Sequence, residues 1–340
     1  MLSVFRSGSF GSIILLILYF PTAASNYFFI YAPAVVDGIP KNARGPLIPD
    51  KGYLVQHIRG GVYWVVGQAF QTMFLVSTEG VIVVDAPPAI GKDYLKAILE
   101  VTDKPVTHVL YSHEHLDHIG SSGMFPKGAV YIARKRVADI LSTAKASATV
   151  GSSLPPIPTK TFKKKLSLTV GNQTFEMAYH GLNHSPGNTF IYLPKQKVLM
   201  FVDVVYPGWF PFDELGYAED VYGFIKVHDT ILKYNFQTFV GGHVTRLGTR
   251  KDVLVQKQYM SDLLSAANEA LITPEVVHAN NDPWKDKNEY IKNVTQACVN
   301  IMVKKKWTEK LGGSSILPSN CHKMTTTARI DPLLSARLPS

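Results

Sequence analysis

The run His113-Glu114-His115-Leu116-Asp117-His118 sets three imidazoles and the carboxylate of Asp117 within six residues, directly behind the β-branched stretch Val106-Thr107-His108-Val109-Leu110-Tyr111. Side chains alternate in an extended segment, so His113 and His115 project together, and a turn at Leu116 brings Asp117 and His118 round to a second point nearby. Such a cluster without a cation sets donors against acceptors, whereas imidazole and carboxylate together are what zinc-like divalent ions bind. A metal site is expected here, with space for two ions a few ångströms apart.

Strand ends have to deliver these groups. Residues 53–58, 62–66 and 72–76 are β-branched or aromatic and separated by glycine-rich breaks, the pattern of antiparallel strands. Residues 80–85 form an unbroken apolar run closing on Asp85, as in a strand covered on both faces; Asp85 either caps the next element or steadies a ligand from behind. A helix is expected over 91–100, then a buried strand over 106–111 that carries the histidine cluster at its carboxyl end, where layered α/β proteins place ligand-bearing loops. Residues 129–133 read as a strand, followed by a helix to about Leu141, and 142–165, rich in Ser, Thr, Pro and Lys, as a flexible flap.

The rhythm then repeats, with strand-like segments at 168–170, 174–179, 189–193 and 198–203, a short strand at 238–240, and long helices over 251–271 and 288–303. Tyr290, Ile291, Val294, Ala297, Cys298, Ile301 and Met302 form one apolar stripe on the last helix, which marks it as core-facing. Strands followed by helices, twice over, predict two sheets packed face to face with helices outside. His184, Asp203 and His243 share one local pattern: each follows an apolar strand, directly or across turn residues.

The run His113 to His118, with His184, Asp203 and His243 following in order, resembles the metallo-β-lactamase superfamily of dinuclear hydrolases over roughly residues 50 to 275. The resemblance implies an α/β fold, a four-layer αβ/βα sandwich with the site at the sheet edges, and two Zn2+ ions per chain. Carried over by position, His113, His115 and His184 hold the first zinc, Asp117, His118 and His243 the second, and Asp203 bridges them. Two cations sharing one hydroxide bring its pKa toward neutrality and polarise a carbonyl oxygen, with Asp117 also orienting the hydroxide. No Gly-x-Ser-x-Gly elbow competes with this chemistry.

Asp203 moves the resemblance toward the lactonase and thioesterase branches, because lactamases with this histidine motif usually lack a bridging Asp. Tyr206, three residues after Asp203, resembles the tyrosine that donates to the substrate oxygen in N-acyl-homoserine lactonases; packed aromatic is its other reading. Residues 207–212, Pro-Gly-Trp-Phe-Pro-Phe, make either an apolar wall for substrate or an anchor for the following helix. A cyclic ester or amide, or a related carboxylic ester, is the expected small-molecule substrate. Phosphodiester or thioester cleavage, and a non-catalytic metal-stabilised binding protein, are the alternatives. The lysine runs 163–165 and 304–306 lie in separate segments without interleaved aromatics, so a solvated basic surface is expected and no nucleic-acid partner.

With 340 residues and 46% apolar content the chain can bury a large core. Arg6, the apolar run 12–20 and the small residues 22–25 read as a secretory signal peptide over 1–25, which implies export; a membrane is a partner only if this leader is an uncleaved anchor. Residues 26–50 are expected as a linker, 51–310 as the hydrolase domain and 311–340 as a C-terminal tail. Removing the leader lowers the net charge from +9 to +8, since Arg6 is its only ionised side chain. Cys298 and Cys321 are either one disulfide in an oxidising compartment or two buried thiols.

Overall fold

Short strands joined by tight turns open the fold. The computed structural model describes residues 39–147, 154–272 and 283–331, so the leader and most of the linker lie outside the described residues. β1 (Leu54–Arg59), β2 (Val62–Gly67), β3 (Phe70–Val76) and β4 (Val81–Val84) pair antiparallel in succession. Every residue of β4 is buried, as an unbroken apolar run requires. β5 (Val106–Leu110), β6 (Val130–Arg134) and β7 (Lys160–Phe162) extend the sheet in parallel. The intervening crossovers carry α1 (Asp93–Leu99), the single turn α2 (Leu116–Ile119) and α3 (Lys135–Ala146).

The second sheet runs β8 (Lys165–Val170), β9 (Gln173–Ala178), β10 (Phe190–Leu193), β11 (Val198–Met200) and β12 (Thr238–Val240), with only the last pair parallel. Between β11 and β12 lie α4 (Asp213–Tyr217) and α5 (Val221–Leu232). Among the described residues α6 (Arg250–Ile272), α7 (Pro283–Lys304), the short α8 (Trp307–Lys310) and α9 (Leu317–Ile330) follow.

Three apolar layers hold four layers of structure together. Trp64, Leu75, Ile82, Phe175, Ile191 and Met200 fill the space between the sheets. Tyr94, Ile98, Val137 and Leu141 seat α1 and α3 on the outer face of the first sheet, and Phe224, Tyr259, Leu263, Met302 and Met324 seat helices on the second. This is the αβ/βα sandwich expected, and the stripe on α7 is core, with Val294, Cys298 and Met302 buried.

Some segments are more ordered than their composition predicts. Residues 142–165, expected as a flap, include the end of α3 and the edge strand β7, and the Tyr111 hydroxyl donates to the Pro156 carbonyl at 3.0 Å. Residues 148–153 of that stretch lie outside the described residues. The region expected as a C-terminal tail contains α9, whose Leu317, Cys321, Met324 and Ala328 are buried against α6 and α7. Cys298 and Cys321 form a disulfide, with Cα atoms 5.9 Å apart. Ala43, in the stretch read as linker, is buried and accepts a hydrogen bond from Trp209 Nε1 at 2.9 Å.

Candidate metal centre

β4, β5, β11 and β12 all end at the same rim of the sandwich, and each end delivers a polar residue to it. Beyond β5 the chain runs through His113 and His115 into α2, whose single turn aims Asp117 and His118 back toward the first pair; the His118 and Ile119 N–H groups donate to the His115 carbonyl at 3.2 and 3.1 Å. His184 comes from the β9–β10 connection, Asp203 from just beyond β11 and His243 from just beyond β12. All seven residues singled out in the sequence converge. Ligand atoms of His113, His115, His184 and Asp203 form one group, and those of Asp117, His118, His243 and Asp203 another, each within 4.8 Å.

Asp203 belongs to both groups. Its Oδ2 lies 3.5 Å from His113 Nε2, 3.3 Å from His184 Nε2 and 3.1 Å from His118 Nε2, and its Oδ1 3.1 Å from His243 Nε2. Ring nitrogens also face each other, His184 Nε2 at 3.0 Å from His115 Nδ1 and His118 Nε2 at 3.0 Å from His243 Nε2. His113 Nε2 is buried with no hydrogen-bond partner. Converging lone pairs and an orphaned buried imidazole nitrogen fit a divalent cation, which satisfies them together.

Electrostatics point the same way. Burial by itself raises the pKa of Asp203, yet His118, His243 and His184 overcome it and hold this carboxyl well below the usual carboxylate range. Burial lowers His118, but Asp203 and Asp117 outweigh it and push the ring up to about 10. His113 and His184 are driven down, His184 to about 4, chiefly by burial. A donor set that keeps its carboxylate ionised and draws a proton onto one ring is one that recruits positive charge.

A second tier of residues orients the first. Asp85, buried at the end of β4 with φ +53°, accepts the Ser112 N–H at 2.8 Å, and burial raises its pKa to about 7 against the opposing pull of His118 and Ser112. The Ser112 hydroxyl lies 2.9 Å from His113 Nδ1, which turns Nε2 into the centre. Asn188 Nδ2 donates to Asn183 Oδ1 at 3.0 Å and to the Val202 carbonyl at 2.9 Å, tying the His184 loop to the turn beyond β11 that bears Asp203. Gln71 on β3 takes a hydrogen bond from Trp64 Nε1 at 2.9 Å and donates to the carbonyls of His243, Val244 and Arg246. Gly242 is the residue the geometry requires before His243, since a Cβ there would lie 2.5 Å from Val202 Cγ1. Asp203 and Val244 adopt left-handed backbone at φ +62°, strain of the kind stored at functional sites.

Tyr206 lies beside the second group, its ring 6.0 Å from that of His243 and 4.8 Å from that of Phe212. Burial, then Asp203 and Asp117, push its hydroxyl well above the usual tyrosine value, and the residue is 2% exposed. Of the aromatic run read as either a wall or an anchor, Phe212 lies beside the centre, 5.0 Å from His243, whereas Phe210 is core and Trp209 packs on Gly312. Phe70, unmarked in the sequence, has its ring 4.5 Å from that of His243 and 5.7 Å from that of His118, while Leu116, Leu182 and Tyr217 are exposed.

Residues 66–243, which include every one of these donors, match the Metallo-beta-lactamase superfamily. The chain is similar to the 2,4-dinitroanisole O-demethylase subunit alpha of Nocardioides sp. (strain JS1661), at 27% identity over 201 residues, 57% of this chain and 58% of that protein, so the match spans little over half of that relative. It is also similar to Metallo-beta-lactamase type 2 of Elizabethkingia meningoseptica, at 26% identity over 181 residues, 52% of this chain and 69% of that one. The structure of the metallo-beta-lactamase from Pontibacter korlensis shares the fold, with a TM-score of 0.52 at 18% identity over 62% of this chain and 99% of that one. With the family match covering more than half of the chain and the His/Asp centre complete within it, the protein belongs to the metallo-β-lactamase superfamily of metal-dependent hydrolases.

Proposed function

We propose that this chain is a dinuclear zinc hydrolase that opens a cyclic ester or amide, or cleaves a related carboxylic ester. The observation that carries the proposal is Asp203, one carboxylate within reach of imidazoles from both quartets. His113, His115 and His184 would hold one ion, Asp117, His118 and His243 the other, and Asp203 both, a nitrogen-rich set that favours zinc over harder ions. Bound ions supply the Lewis acidity that lets water lose a proton near neutral pH and that polarises the substrate carbonyl.

The protein's own groups do the rest. Asp117, the exposed member of its quartet, orients the attacking water and accepts its proton. Tyr206 stays protonated at neutral pH and is the donor proposed for the substrate oxygen; in this structure its ring supports His243 and its hydroxyl lies against Gly216. Phe70, Phe212, Leu116, Leu182 and Tyr217 favour a small substrate with an apolar or aromatic portion. Export belongs to the same proposal, supported by the apolar leader and by the Cys298–Cys321 disulfide.

The test is a panel of chromogenic lactones, lactams, aryl esters, thioesters and phosphodiesters, run on protein of measured metal content. Because the Nocardioides relative is named for O-demethylation, 2,4-dinitroanisole belongs in the panel. Turnover of a lactone, lactam or ester should vanish after chelation and return with added zinc. Full turnover by metal-free protein, or cleavage of phosphodiesters alone, would overturn the proposal.

A further inference from the structure

α4 is wound in the left-handed sense: Glu214, Leu215 and Gly216 have φ/ψ of 50/40°, 61/42° and 64/36°, and Tyr217 has φ 55°. L-residues do not hold such a turn unaided, so something outside it must fix it. α9 supplies the fixings. Asn320, fully buried, accepts the Leu215 N–H on Oδ1 at 3.0 Å and donates from Nδ2 to the Pro211 carbonyl at 2.9 Å and the Tyr259 hydroxyl at 3.1 Å. Ser319 Oγ accepts the Glu214 N–H at 2.8 Å, and Lys323 pairs with the Glu214 carboxylate at 3.5 Å. Cys321, next to Asn320, is tied to α7 by the disulfide.

The turn bears on the centre at two places. A Cβ on Gly216 would lie 2.4 Å from the Tyr206 hydroxyl and 3.3 Å from the Asp203 carbonyl oxygen, so the turn sits beside the residue shared by both quartets with no room for a side chain between them. Just beyond the turn, the Glu219 and Asp220 N–H groups donate to the carbonyls of His184 and Asn183 at 3.1 and 3.0 Å. The chain from Pro211 to Asp220 thus braces Asp203 on one side and the His184 loop on the other.

We propose that Asn320 is a positioning residue for the metal centre, holding the left-handed turn that keeps Asp203, Tyr206 and His184 in place. This rests on the reading of the quartets as metal sites, and cobalt substitution separates the two. Asn320→Ala should bind Co2+ about tenfold more weakly in competition with a chelator, as is typical when support behind a ligand is lost, with an altered visible spectrum. Ser319→Ala with Lys323→Met, both on partly exposed positions, should move affinity and spectrum the same way by less, and this pair decides the matter if Asn320→Ala fails to fold. Lower thermal stability with unchanged cobalt affinity and spectrum would overturn the proposal and leave Asn320 a packing residue. A wild-type protein that binds no cobalt would instead overturn the metal-centre reading itself.

Discussion

His228 shows what this chain does with an imidazole that has no cluster to join. It lies buried on α5, its Nδ1 3.0 and 3.1 Å from the carbonyls of Phe224 and Ile225, and burial lowers its pKa from 6.5 to about 4. Between those two pH values the unfolded chain binds a proton that the folded chain refuses. The stability from keeping His228 neutral is therefore complete above pH 6.5 and lost as pH falls toward 4, a change of about 3 kcal/mol. His228→Leu should flatten the fall of Tm over that window relative to the parent protein; parallel curves from thermal scans would refute it. The clustered histidines were legible from sequence because number and spacing make a core role implausible. Gln71 and Asn188 were not, nor was Gln256, which accepts the Tyr206 N–H at 3.0 Å, since the groups they serve are loop carbonyls and amides, in the case of Gln71 more than 170 residues away.

At the scale of elements, most strands announced themselves through apolar, β-branched or aromatic runs, whereas α4 and α9 did not. α4 breaks the conformational preference of its own residues, and only contacts from α9 make it stable. α9 carries a helical stripe at Leu317, Cys321, Met324 and Ala328, but its buried face also holds Asn320 and Thr325, which disguise it as tail. β7 and the end of α3 were hidden in the same way by polar composition at a sheet edge. The disulfide that joins α9 to α7 spans a sequence separation of 23, for which loop closure gives about 3 kcal/mol. Reduction should lower the urea midpoint by a corresponding amount while Cys298→Ser with Cys321→Ser shows no response to reductant; an unchanged midpoint on reduction would count against the bond.

Across the whole molecule, the alternation of strands and helices in two repeats was enough to read the layers, because each sheet must bury one face on the other and the second under helices. The donors divide between the repeats, four from 113–118 and three from 184, 203 and 243, so an ion bound among them would link the two sheets. An ion present at 100 times its dissociation constant and binding only the folded state adds about 3 kcal/mol. Zinc should therefore raise Tm by several degrees over chelated protein, in differential scanning calorimetry, and an equal Tm in both conditions would mean the sheets are not joined in this way. No helix among the described residues is long and apolar enough to cross a membrane.

Each quartet has a single member that reaches solvent, His115 in one and Asp117 in the other, and these stand two residues apart at the entrance to α2. Ions held by the two quartets would therefore meet solvent on the same side of the centre. A molecule resting on His115 and Asp117 would hinder the departure of either ion.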